Sequence, residues 1–274
     1  MLRAKELESV LPATGARLAV MGCGTSLYMA QAFAALREQL GHGQTDAFPA
    51  SEFPVARSYD AVLAISRSGT TTEVIRTLAA LPSGTKTTAI CAVESSPVGA
   101  AVDAEIVLEF ADEVSVVQTL FATSVLALLR AHLGERLEPV IAQAEEVVRA
   151  ALPADPSAFD RFTFLGRGWT VALACEAALK VRETAQAWVE AYPALEYRHG
   201  PIAVADERTL VWAIGPVGDE KLLDDIRRVG ATVVAPPWDS MVSLVLAQRF
   251  AVALAESRGL DPDRPRNLTR SVVL

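Results

Sequence analysis

"RLAVMGCGTSLYMA", residues 17–30, and "RFTFLGRGWTVALA", residues 161–174, write one pattern twice, 144 residues apart. Each is a short apolar run, a G-x-G turn, a hydroxyl residue and a segment of helical character. Arg17/Arg161, Gly22/Gly166, Gly24/Gly168 and Ala30/Ala174 are identical between the copies. The segments downstream of the two copies are also alike. After the first, strands are expected at about 60–65, in TKTTAICAV and in AEIVLEF, with a helix over about 71–81. After the second, a helix near 169–190 leads to the strand TLVWAIGP, a helix DEKLLDDIRRVG ending at Gly230, and the strand ATVVAPP. Strands alternating with helices predict parallel sheets covered on both faces. Two α/β halves are therefore expected, over residues 1–150 and 151–274, joined near LPADPS at 152–157.

Composition narrows the function. A chain with 51% hydrophobic and 21% charged residues fills a substantial core and is not disordered. A formal charge of −8 argues against nucleic acid, whose binding relies on clustered Lys and Arg. A small anion stays open, because local backbone N–H groups can outweigh net charge. Cys23, Cys91 and Cys175 form no CxxC pair, so reduced thiols in a cytosol are expected, without disulfide or zinc. Cys23 reads as a small core cysteine, and the four tryptophans as packing residues. No metal constellation or cofactor motif is visible. The start MLRAKELESV is charged where a secretory signal is apolar. Val114–Leu129 lacks charge over 16 residues, short of the roughly 20 that span a bilayer, and reads as a buried helix.

The chemistry concentrates in two places. SRSGTTTEV, residues 66–74, succeeds the apolar run Ala61–Ile65 and packs five hydroxyls into seven residues around Gly69. A turn entering a helix N-terminus offers unsatisfied N–H groups and a favourable dipole to a phosphate, and hydroxyls add donors from the sides. The competing reading is a helix cap by Thr71 or Thr72, but one cap uses one hydroxyl. MGCGTS, with Gly24, Thr25 and Ser26, lacks both the third glycine of a dinucleotide fingerprint and the GK[ST] of a P-loop. Both loops are expected beyond the carboxyl ends of strands, where ligands of open parallel sheets bind. Farther on, Glu176, Lys180 and Glu183 share one helix face by their i, i+4, i+7 spacing. A solvated salt-bridge ladder is the plain alternative, although the surrounding alanines and Leu179 favour partial burial. His199 comes next, in a loop with Glu196, Gly200 and Pro201.

MGCGTS, SRSGTT, CEAALKVRETAQAWVEAYPALEYRHGP and DPDRPRNLTRSV, in this order, resemble the sugar isomerase (SIS) domain pair of glucosamine-6-phosphate synthase and related deaminases. The resemblance covers nearly the whole chain. It implies two flavodoxin-like three-layer α/β/α subdomains, a phosphosugar held between them, and a homodimer. By position, Thr25, Ser26, Ser66, Arg67, Ser68 and Thr71 match the family's phosphate loops, with Arg67 where the synthase has glutamine. The residue matching Glu183 shuttles a proton between C1 and C2 of the open-chain sugar. The residue matching His199 assists ring opening from a neighbouring subunit.

The chain departs from the synthase pattern in two respects. It shows no glutaminase segment, so glutamine-dependent synthesis is not expected of it. Arg270 stands where the synthase has a tail lysine, and a guanidinium forms no Schiff base, although it can hold an oxyanion or phosphate oxygen. ADEVSVVQT, with Glu113, Ser115, Gln118 and Thr119, looks closer to the isomerase and deaminase relatives. Ser115 and Gln118 are expected to line the sugar, or Ser115 to cap a helix. The leading expectation is a cytosolic phosphosugar isomerase without cofactor. Glu183 and His199 are its catalytic residues; Gly24, Thr25, Ser26, Ser66, Arg67, Ser68, Thr71, Ser115, Gln118, Lys180 and Arg270 contact the substrate. An amino-sugar deaminase, a fructosamine-type deglycase and a silent sugar-phosphate sensor are the alternatives.

Overall fold

The computed structural model describes residues 10–274, which divide into two compact units. The first holds residues up to Val114, Gln118–Leu137 and the tail Thr269–Leu274. Its elements are β1 (Leu18–Gly22), α1 (Thr25–Gln39), β2 (Thr45–Pro49), β3 (Ala61–Ser66), α2 (Thr72–Ala80), β4 (Lys86–Cys91), β5 (Ala104–Val107) and α3 (Leu120–His132). The strands form one parallel sheet in the order β2-β1-β3-β4-β5. β1 is wholly buried and β3 nearly so, because both faces of the sheet are covered and each strand must be apolar throughout. On one face Ala19, Met21, Val62, Ala64, Ala89 and Cys91 pack with Val74 and Leu78 of α2. α1 lies on β1 and β3 and packs against α3.

The second unit holds Ser115–Val117 and Glu138–Leu268. It contains α4 (Glu138–Val147), β6 (Arg161–Gly166), α5 (Thr170–Ala185), β7 (Val189–Pro193), β8 (Thr209–Ala213), α6 (Lys221–Arg228), β9 (Thr232–Val234) and α7 (Ser240–Ser257). The parallel sheet runs β7-β6-β8-β9, which is the order of the first four strands of the other unit. One face packs Leu165, Val211 and Ala213 on Leu222, Leu223 and Ile226 of α6. The other buries Phe162, Phe164 and Trp212 with Phe250 of α7 in edge-to-face and tilted ring contacts 5.6–6.1 Å apart. Two parallel-sheet α/β/α subdomains are thus present, and the repetition read from the sequence extends to sheet topology. The order 2-1-3-4-5 is that of flavodoxin-like sheets.

Several expectations are corrected. The units depart from a division at residues 150 and 151. α4 belongs to the second, where it packs against α7, and the last six residues return to the first. The charge-free stretch from Val114 is helical only from Leu120, and Val114 itself is 96% exposed. The helix expected to reach 190 stops at Ala185, where Gln186 turns into left-handed backbone at φ 52° and releases the chain into β7. Of the tryptophans, Trp212 packs as expected but Trp188 is 87% exposed. Among the described residues, α7 is the one helix long and apolar enough to cross a membrane; 67% of its apolar window is buried, the state of a core helix.

Candidate active site

In the first unit the chain goes from β1 outward to β2, then returns to β3 and proceeds the other way, so β1 and β3 flank the point where strand order reverses. Loops leaving the carboxyl ends of such strands border the crevice that binds ligands in open α/β sheets. The two loops concerned are Gly22–Ser26 and Ser66–Thr72, the hydroxyl-rich ones.

Glycine makes both turns possible. A side chain on Gly22 would meet the backbone carbon and Cβ of Ser26 at 2.8 Å, so its absence lets α1 start close against the strand end. Gly24 takes φ +54°. Thr25 and Ser26, the first residues of α1, are buried, and the helix has no side-chain cap. Gly69 takes φ +62°, and a Cβ there would run into the Ser96 hydroxyl. Thr71 stands at the N-cap of α2, yet its side chain makes no capping hydrogen bond. Its Oγ1 lies 3.4 Å from Ser66 Oγ. Capping therefore does not explain the hydroxyls.

The tail of the same unit lies along this loop. Arg67, 1% exposed, donates from Nη2 to the Arg270 carbonyl at 3.1 Å. Ser68 Oγ and Thr70 Oγ1 lie 3.1 and 2.9 Å from Ser271 Oγ. The Arg270 guanidinium donates to the Glu113 carbonyl at 2.9 Å and pairs with the Asp112 carboxylate, so its charge is already matched within the unit. Sequence reasoning counted Thr70 in the hydroxyl cluster but not among the substrate contacts, and missed Asp112 and Ser271, which only the tail's return reveals. Glu113 is engaged as well: its carboxylate accepts from Thr119 N–H, Leu120 N–H and Phe121 N–H at 2.9–3.1 Å and caps α3. Ser115 does not cap that helix; its Oγ accepts from Val117 N–H at 3.1 Å in a local turn. Gln118 keeps Oε1 out of solvent with no hydrogen bond to it.

In the second unit α5 presents Glu176, Lys180 and Glu183 on one face, as their spacing predicts. Lys180 is 1% exposed and lies between Glu176 Oε1 at 3.4 Å and Glu183 Oε2 at 2.5 Å. Glu176 is fully buried, whereas the Glu183 side chain keeps 19% exposure. This is no solvated ladder. A buried ammonium fixes two carboxylates, one sealed in and one reaching solvent. His199 is exposed in the second unit, and its ring has no hydrogen-bond partner among the described residues.

The second unit's counterpart of the loop Gly22–Ser26 is Gly166–Thr170. A Cβ on Gly166 would strike the Thr170 carbonyl, and Gly168 takes φ +58°, the same devices as Gly22 and Gly24. Here the hydroxyl is consumed, because Thr170 Oγ1 accepts from Arg167 N–H at 2.7 Å and donates to Arg167 C=O at 3.0 Å. Burial pushes the thiols of Cys23 and Cys175 up, and that of Cys91 to about 12, so no thiol is poised as a nucleophile. Among the described residues no group of His, Cys, Asp and Glu could hold a metal ion.

Residues 14–130 match the SIS domain family. Over 98% of its length the chain is 31% identical to a glutamine–fructose-6-phosphate aminotransferase (isomerizing) of Gloeobacter violaceus, covering 53% of that protein. It is 31% identical over 94% of its length to the enzyme of the same name from Methanothermobacter thermautotrophicus, covering 52% of it. The chain thus spans about half the length of these curated relatives. The crystal structure of a glucosamine-6-phosphate deaminase from Thermotoga maritima is similar at TM-score 0.81 and 28% identity, over 98% of this chain and 97% of that one. A tagatose-6-phosphate ketose/aldose isomerase from Escherichia coli shares the fold at TM-score 0.79 and 20% identity, over 98% and 88% of the chains.

Proposed function

We propose that this chain, whose residues 14–130 belong to the SIS domain family, is a phosphosugar isomerase acting on a hexose or amino-hexose 6-phosphate. In this reading the first unit holds the phosphate through Thr25, Ser26, Ser66, Ser68 and Thr71, and the second supplies Glu183 for proton transfer. The observation that carries it is the start of α2, where no side chain caps the helix and the Thr71 and Ser66 hydroxyls meet only each other, at 3.4 Å, among the described residues. Aldose–ketose interconversion through an enediol removes a proton beside a carbonyl and returns it to the adjacent carbon, so one carboxylate serves as base and then acid. Glu183 suits that task because Lys180 holds its carboxylate in place while its exposed fraction leaves it open to a ligand. The exposed imidazole of His199 is free to assist ring opening, and general acid–base groups typically contribute about 10²- to 10⁴-fold.

A second reading, amino-sugar deamination coupled to isomerisation, is favoured by the likeness to the Thermotoga deaminase over nearly the whole of both chains. Assays with fructose 6-phosphate and glucosamine 6-phosphate separate the two. Hexose interconversion without ammonia supports the isomerase, ammonia release supports the deaminase, and binding without turnover contradicts both. We further propose a homodimer in the cytosol with His199 donated across subunits. Glu183→Gln and His199→Asn chains, inactive alone, then recover part of the activity when mixed under subunit exchange. Absence of recovery from verified mixed dimers counts against the shared site.

A further inference from the structure

A cavity of about 390 Å³ opens in the second unit at the amino ends of β6, β7 and β8, the far end of the sheet from the turn Gly166–Thr170. Its volume is that of a small-molecule site. Thr163 and Glu190, register partners on adjacent strands, line it together with Trp188 and Val204. Packing of the fold does not explain three features of this wall. Trp188 is 87% and Val204 58% exposed, so an indole and an aliphatic side chain stand in water beside the cavity. Glu190 forms no ion pair among the described residues, whereas the other charged residues of the lining are matched, Asp160 by Arg208 and Arg161 by Asp206. Tyr197 is fully buried against Tyr192, with ring centroids 6.0 Å apart, yet its hydroxyl has no hydrogen-bond partner among the described residues. That hydroxyl stands beside Thr163 and near Glu190, and burial pushes the phenol up, so it stays neutral. A buried hydroxyl without a partner destabilises the fold relative to phenylalanine, which would pack the same ring, so its presence calls for a bound group.

We propose that this cavity binds a planar organic cation, of the amidinium or protonated aminoheterocycle class, with its ring on Trp188 and its N–H groups on Glu190 and the Tyr197 oxygen. The class follows from the wall. An exposed indole face attracts a flat cation by cation–π contact. The unpaired carboxylate of Glu190 leaves the lining negative and accepts two parallel N–H groups from one planar cation. A neutral phenol oxygen accepts a further N–H without adding charge. None of the residues assigned to phosphate binding or proton transfer takes part, so the site stands or falls apart from turnover.

Calorimetry on the full chain, with benzamidine as the probe and neutral benzamide and anionic benzoate as matched rings, tests this. Benzamidine is expected to bind roughly tenfold or more tightly than either. Trp188→Ala, at an exposed position, and Glu190→Gln are each expected to weaken it roughly three- to thirtyfold, while Glu183→Gln leaves it unchanged. Tyr197→Phe is expected to weaken binding while raising or preserving the urea midpoint, a combination that a hydroxyl kept for a ligand produces and a packing role does not. Absence of benzamidine binding, equal binding of benzamide, affinity that survives both Trp188→Ala and Glu190→Gln, or affinity lost in Glu183→Gln overturns the proposal. A Tyr197→Phe protein that binds like the wild type, or that is less stable, overturns the role of the phenol.

Discussion

Lys180 is the residue that holds the buried charge cluster of the second unit together. Its ammonium, 1% exposed, is matched by a fully buried and a partly exposed carboxylate, and removing it strands both. Breaking a buried pair from one side typically costs about 3–5 kcal/mol, so Lys180→Met is predicted to destabilise the chain by that order in urea titration. A loss under about 1 kcal/mol would show that the triad is not held as described. The three thiols give a second prediction at this scale. With each pushed above its ordinary value, little thiolate exists at pH 8, and Cys91 in particular should react with a thiol reagent only after denaturant is added. Rapid labelling of Cys91 in the native protein would contradict that environment. The i, i+4, i+7 spacing made the triad legible in sequence. What spacing cannot carry is which of two like carboxylates is sealed in, since that depends on what packs over the helix.

At the scale of elements, the repeated G-x-G turn serves the same purpose twice. Its first glycine lets a helix begin against the end of the strand before it, and its second supplies left-handed backbone. Gly22→Ala and Gly166→Ala are each predicted to cost about 1–3 kcal/mol by overpacking, measured as a fall in urea midpoint with unchanged slope. Tolerance at both positions would mean the turn can relax. The hydroxyl loop was legible as a cluster, but not its use, because the cap at Thr71 that propensity suggests is absent and the cap of α3 comes from Glu113. β2 and β7 went unread because TDAFP and VEAYP are half-buried edge strands with acidic residues and a terminal proline, lacking the apolar run that marks a central strand. The signal was there in another form: Thr45–Pro49 and Val189–Pro193 lie 144 residues apart, the offset of the glycine turns.

At the scale of the molecule, the two units differ in how acid acts on them. In the second, side-chain hydrogen bonds lower five aspartate carboxyls: Asp155 from Ser157, Asp160 from Arg208, Asp206 from Thr209, Asp219 from Arg198 and Asp225 from Arg228. Lowered carboxyls contribute stability that is present above the unfolded value near 4 and is lost as pH falls through the folded values. In the first unit, Asp60 and Asp103 are lowered by backbone N–H groups, but Glu94 is raised by its hydrogen bond and proximity to Glu109, the opposite sign. The second unit is therefore predicted to be the more acid-labile. All four tryptophans lie in it, so fluorescence reports it alone while far-UV circular dichroism reports both units. Between pH 6 and pH 3 the urea midpoint read by fluorescence is predicted to fall further than that read by dichroism. Midpoints that fall together, or a larger fall by dichroism, contradict this.

The proposed division of labour between a phosphate-holding unit and a proton-moving one is tested most directly by isotope exchange. Fructose 6-phosphate and glucosamine 6-phosphate are each incubated with the protein in D2O, and deuterium at C1 and C2 is read by NMR, with binding measured in parallel by calorimetry. The account predicts label on the sugar with the wild type, none with Glu183→Gln, and affinity for the phosphosugar within a few-fold of wild type in that variant. Deuterium that still enters the sugar when residue 183 carries an amide would contradict it.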